Sequence, residues 1–268
     1  MKIMKVVRII AVFLLGVGLI FQVYLRSRPD VKESEGKSDT PATRNADKNL
    51  KVAKANKDLM LPDMQVSPPK QLYITNSGGV KELHFNTTFF NIGKGPLELI
   101  GESREEEGVT IATQIIDKSD GTKEEMIVGE FVFHPGHDHW HVGNYAQFQL
   151  WRYDNSGNPT EMVASTDKYS FCIWDEHPYD ISLEGAPKVR QYPRCPKNIQ
   201  GNSVGWGDTY RADVEGQELD ITGIEDGRYL AHSIVNAENT LLESEYANNT
   251  AALYVEIIGN SIRILDNP

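Results

Sequence analysis

The chain has 268 residues, 40% of them apolar, with 27 basic against 38 acidic side chains and a formal net charge of −11. That length suits one globular domain with appendages. With no basic excess to displace counterions, the composition argues against nucleic-acid binding, and the acidic surface serves solubility while attracting cationic partners.

The N-terminus carries Lys2, Lys5 and Arg8, then an apolar run from Ile9 to Leu25 closed by Arg26 and Arg28. A basic start followed by such a run reads as a membrane-inserting segment. It exceeds the usual signal-peptide core and approaches the minimum for a spanning helix. No small-x-small cleavage site follows. Residues 1–28 are therefore expected to be an uncleaved anchor helix, the alternative being a secreted protein with a cleaved signal; either puts the rest outside the cytoplasm. Residues 29–60 are charged and small, with almost no large apolar side chains, and read as a flexible linker. A short helix around Lys48–Lys57 is compatible with this composition.

The folded part is expected over 61–268. Short runs with strand character alternate with turn chemistry. Glu82–Asn91 is one; Gly93–Pro96 turns the chain into Leu97–Ile100; Thr110–Ile116 and Glu125–Phe133 form a hairpin around Asp120-Gly121. Tyr145–Tyr153 alternates, with Ala146, Phe148 and Leu150 against Gln147 and Gln149. Arg228–Val235 and Ala251–Ile258 close the pattern. The fold expected is mainly β, an antiparallel sandwich-like domain, with long functional loops between Asp154 and Gln217.

Between the central runs lies Phe133-His134-Pro135-Gly136-His137-Asp138-His139-Trp140-His141, which holds four of the chain's seven histidines. In an extended strand, alternating side chains share a face, which would put His137, His139 and His141 on one side. Neighbours two apart stand about 6.5–7 Å from each other at Cα, so two imidazoles can close around one ion. The outer pair is about 13 Å apart, so a third ligand requires a bend, and Pro135-Gly136 is where irregular backbone is expected. Imidazole suits copper, zinc, iron or nickel, and intrinsic affinity favours copper. His137, His139 and His141 are the expected ligands, with His134 either orienting them or contributing a fourth donor. Cys172 and Cys195 are the only cysteines: they form one disulfide, as an extracytoplasmic domain would, or remain two buried thiols.

At these residues the chain resembles the lysyl oxidase family, copper- and quinone-dependent amine oxidases acting on protein lysines, and in its cysteine poverty it is similar to a microbial-type member. The family's copper stretch, WHSCHQHYH, is matched by Phe133–His141 with every histidine retained. Lys168-Tyr169-Ser170-Phe171-Cys172 resembles the context of the family's cofactor lysine, and Gly205–Tyr210 that of its cofactor tyrosine. Asp220–Thr222, Asp226–Leu230 and Glu243–Asn249 resemble its closing segments in order and spacing. The likeness runs from about Leu61 to Ile258 and is specific after Phe131. One departure concerns cysteines. The family's cysteine inside the copper motif is Gly136 here, so a Cys172–Cys195 bond would rearrange the family's pairing.

The resemblance implies a copper centre and a lysine tyrosylquinone built from Lys168 and Tyr210, with a primary amine and dioxygen as co-substrates. The base for proton abstraction is expected at Asp208, which stands two residues from Tyr210 on an extended segment. The competing readings are an extracytoplasmic metal-binding or adhesion module with a structural metal, and a zinc hydrolase. The hydrolase predicts a base in a motif such as H-E-x-x-H, and the sequence has none.

Overall fold

The computed structural model describes residues 48–268 apart from 50, 54, 105–108 and 167–169. The expected anchor at 1–28 and the first part of the linker lie outside the described residues. Among those described, no helix is long and apolar enough to cross a membrane. The short helix considered around Lys48–Lys57 is represented by helical residues at 48–49, 51–53 and 55. Its side chains are engaged: Val52 and Ala53 pack on Leu59, Leu61, Ile116 and Leu242, and Asn49 Nδ2 donates to the Asn239 carbonyl at 2.8 Å.

Sixteen strands follow among the described residues. The first six are β1 (Met64–Val66), β2 (Lys70–Ser77), β3 (Val80–Asn91), β4 (Leu97–Arg104), β5 (Val109–Asp117) and β6 (Lys123–His134). Next come β7 (His139–Val142), β8 (Ala146–Tyr153), β9 (Pro159–Ser165), β10 (His177–Pro178) and β11 (Ile199–Asn202). The last are β12 (Trp206–Tyr210), β13 (Glu218–Asp220), β14 (Gly227–Val235), β15 (Thr250–Ile258) and β16 (Ser261–Leu265). The mainly-β, antiparallel expectation holds, with the strands distributed over three sheets. One runs β1-β3-β12-β10 with β2 and β13 also on β3; the second runs β11-β4-β5-β6-β7; the third runs β16-β15-β14-β8-β9.

Alternation explains how one core serves all three. In β5 every second residue from Thr110 to Ile116 turns inward, and β8 buries Ala146, Phe148 and Leu150 as its pattern predicts. Phe85, Phe89, Tyr145, Phe148 and Phe171 meet edge-on in the middle, the arrangement favoured by ring quadrupoles. Gln114 faces inward too, and its amide exchanges both hydrogen bonds with the Leu242 backbone at 2.9 and 2.8 Å. That pairing removes the desolvation cost of a buried amide.

The segment expected as loop, Asp154–Gln217, holds four short strands, β9 to β12, whose length is too small for a period to show. Its irregular part is organised by buried Asp175, whose carboxylate accepts from the Gln191, Tyr192 and Ser203 amides and the Ser203 hydroxyl. Cys172 and Cys195 are disulfide-bonded, with Cα atoms 5.6 Å apart. The bond closes a loop of 23 residues, a constraint on the unfolded chain of about 3 kcal/mol.

Candidate metal centre and tyrosine site

β6 and β7 form a hairpin whose register pairs Phe131 with Val142, Val132 with His141, Phe133 with Trp140 and His134 with His139. Four residues, 135–138, make the turn. This corrects the expectation of three histidines on one strand face. His137 sits in the turn, with its amide bonded to the His134 carbonyl at 3.1 Å. Asp138 takes a left-handed φ of 53°, a conformation aspartate tolerates better than most residues. Only His139 and His141 alternate on a strand. The turn supplies the bend that a straight strand lacked.

The fold brings all four rings together. His134, His137 and His141 offer ring nitrogens that lie within 4.8 Å of one another. His141 Nε2 stands 3.4 Å from His137 Nδ1 and 3.0 Å from His139 Nε2. Two nitrogens bound at 2.0–2.1 Å to one ion are separated by about 2.8–3.4 Å, so these spacings suit a common cation. His141 is fully buried, and its other nitrogen, Nδ1, is 3.4 Å from Ser170 Oγ, which turns Nε2 toward the cluster. His134 Nδ1 is buried with no hydrogen-bond partner. An orphaned lone pair in a set of imidazoles is the position a soft or borderline metal fills. The donor set therefore fits copper or zinc; the trio whose nitrogens converge is His134, His137 and His141, with His139 beside His141.

Tyr210 ends β12, which pairs with β3 so that Asp208 faces Phe89 and Tyr210 faces Thr87 in the register. Its hydroxyl donates to the Cys172 carbonyl, and its ring meets Phe171 edge-on at 4.8 Å. Asp208 lies on the same side of the strand, as its spacing predicts, and is buried with Oδ2 unpartnered. Burial foremost, then the charge of Glu176, hold the Asp208 carboxyl well above the usual aspartate range. Burial and then Asp208 push the Tyr210 phenol well above its ordinary value. Lys168 lies outside the described residues.

The hairpin and the tyrosine are joined through 170–172. Ser170 reaches His141; Phe171 pairs with Val142 by backbone bonds of 2.7 and 3.0 Å; the Cys172 carbonyl receives Tyr210. The disulfide closes the circuit, since the Cys195 carbonyl accepts from the Trp140 amide at 3.4 Å. Buried Gln200 adds a tie, donating to the Trp140 carbonyl at 2.7 Å and accepting from the Ile173 amide at 3.0 Å. Sequence reasoning missed Gln200 and Glu215. Glu215 stands near His134 and His137, yet it occurs in the sequence as one acidic residue among 38.

With this geometry established, comparison with known proteins places it. The lysyl oxidase family model matches residues 113–266, more than half of the chain and inclusive of every histidine above and of Tyr210. The chain belongs to the lysyl oxidase family. It is 30% identical to the human lysyl oxidase homolog 1 over 131 residues, 48% of this chain and 21% of that protein. To the chicken protein-lysine 6-oxidase it is 32% identical over 129 residues, 48% of this chain and 28% of the other. To the zebrafish lysyl oxidase homolog 2B it is 32% identical over 119 residues, 44% and 14% respectively. The chain thus spans less than a third of these relatives' lengths. Within this lysyl oxidase domain the Cys172–Cys195 bond is formed, with Gly136 where the family motif has a cysteine.

Proposed function

We propose that this lysyl oxidase family member is a copper-dependent amine oxidase that converts primary amines, protein lysine side chains among them, to aldehydes with release of ammonia and hydrogen peroxide. One observation carries the reading: the four-histidine cluster is tied to Tyr210 through three consecutive residues, Ser170, Phe171 and Cys172. A purely structural metal site needs no such connection to a partly buried tyrosine.

When bound, copper with dioxygen supplies the oxidation of the tyrosine ring, and the Lys168–Tyr210 quinone supplies the two-electron oxidation of the amine. The remaining work falls to the chain. His137, His139 and His141 would hold the cation, with His134 as a further donor, and Ser170 would set the His141 tautomer. Lys168 stands two positions before Ser170 in the sequence. The partly buried Tyr210 phenol, raised above its ordinary pKa, needs a positive charge nearby to release its proton. Asp208, made more basic by burial, removes the α-proton of the substrate amine, since a raised carboxylate pKa strengthens a general base.

The same reading places the domain outside the cytoplasm, supported by the disulfide, which persists in oxidising compartments. The expected division into an anchor at 1–28, a linker at 29–60 and a catalytic domain at 61–268 belongs to this proposal, supported by the apolar run Ile9–Leu25, with the linker shortened at its end because Asn49, Val52 and Ala53 already engage the domain. The deciding experiment is peptide-mapping mass spectrometry on protein aerated with copper. The expected result is one species in which the peptides holding Lys168 and Tyr210 are covalently joined. Separate peptides in fully copper-loaded protein would overturn the quinone mechanism.

A further inference from the structure

We propose that Glu215 is a positioning residue of the metal centre, its carboxylate holding the rings of His134 and His137 with their Nδ1 atoms turned inward; the inference rests on the copper centre proposed above. Glu215 Oε1 is 3.9 Å from His134 Nε2, and Oε2 is 4.0 Å from His137 Nε2. One carboxylate thus addresses two rings, one oxygen to each. The rings themselves are stacked, centroids 4.2 Å apart.

The opposite edges of these imidazoles are what make the contact meaningful. His134 Nδ1 is the buried nitrogen without a partner, and His137 Nδ1 is the atom 3.4 Å from His141 Nε2. Both rings therefore turn Nε2 to the carboxylate and Nδ1 to the cluster. A neutral imidazole has one N–H, and a carboxylate opposite Nε2 selects the tautomer that carries it there. The Nδ1 lone pair is then available to a cation, and the added negative charge makes the ring a better donor.

Gly136 opens the path for this approach. A Cβ at that position would stand 3.3 Å from both Glu215 Oε2 and His134 Cε1. The residue lacking a side chain thus sits beside both the carboxylate and the ring. Glu215 itself comes from a different element, the turn after β12. That turn is held by the Val214 amide on the Arg211 carbonyl at 2.9 Å and the Gln217 amide on the Val214 carbonyl at 3.1 Å. Tyr210 lies five residues upstream of Glu215, so the carboxylate also couples the hairpin to the tyrosine strand. The two distances exceed a hydrogen bond by about 1 Å, and the 65% exposed side chain has room to close them.

The test is Cu(II) affinity of the full chain, measured by competition with a chromophoric chelator, together with the electron paramagnetic resonance spectrum of the bound ion. Glu215→Ala and Glu215→Gln are expected to bind Cu(II) about 10–100-fold more weakly, the range for loss of an outer partner. The hyperfine splitting should change while the unfolding midpoint of the metal-free protein stays put. Glu215→Asp should recover part of the affinity. Wild-type affinity and an unaltered spectrum in both the Ala and Gln variants would overturn the role of Glu215 and leave the copper centre standing. A wild-type protein that binds no Cu(II) would overturn both.

Discussion

The histidine hairpin and the Tyr210 strand are neighbours built on opposite plans. The hairpin collects four imidazoles from eight consecutive residues, and a single turn at 135–138 suffices to converge them. Tyr210 has no such local company. Its hydroxyl partner is 38 residues away in sequence, and its ring rests on Phe89 and Phe171, which come from different parts of the chain. A ligand set made by a turn depends chiefly on that turn. A partly buried phenol whose partners come from several elements depends on the whole core. Perturbations should therefore separate the two regions, and where they do not, the ties through 170–172 and the disulfide are responsible.

The largest separation is expected from Asp208→Asn. It removes the proposed base and its push on the Tyr210 phenol, so amine turnover should fall by about 10²–10⁴-fold. Cu(II) affinity should stay at the wild-type value, because the groups that act on Asp208, namely Glu176, Trp174 and Asp175, lie outside the hairpin. Normal turnover in that variant would remove Asp208 from the mechanism. Next in size is His141→Ala. The lost ring stands between His137 and His139, so chelator competition should show affinity falling beyond the roughly 100-fold reached by removing an outer partner. Unimpaired copper binding would mean the other three histidines suffice. Aimed at the tie itself is Cys172→Ser. Opening the 23-residue loop should lower stability to urea by about 3 kcal/mol. Hydrogen exchange should quicken more along β12 than along β6 and β7; equal acceleration in both would show that the hairpin leans on the core as much as the tyrosine does.

What could be read in advance followed the same division. Strands long enough to alternate, such as β5, β8, β14 and β15, were legible because one face of each is buried and period two survives. β9 to β12 were not, since two to seven residues interrupted by proline and glycine carry little period. The histidines were legible as a group because ligands close in sequence are close in space whatever the backbone does. Their strand geometry was misread: His137 belongs to a turn, and sequence spacing cannot distinguish a straight strand from a hairpin whose turn starts at Pro135. Glu215 and Gln200 left no signal, because a carboxylate or an amide acts on this site only after two distant segments have been brought together.

By itself, then, the sequence determined the mainly-β class and the chemical nature of the donors, since these depend on residue type and on spacings of one or two residues, while Tyr210, with Asp208 beside it, was reached through the family resemblance. The tertiary structure alone decided that the histidines converge around a turn, that Ser170, Phe171 and Cys172 link them to Tyr210, and that Cys172 reaches Cys195. It also decided that burial and neighbouring acids raise the Asp208 carboxyl and the Tyr210 phenol above their ordinary values. Those outcomes depend on packing between elements far apart in the chain, and desolvation is a property of the assembled core that no single segment carries.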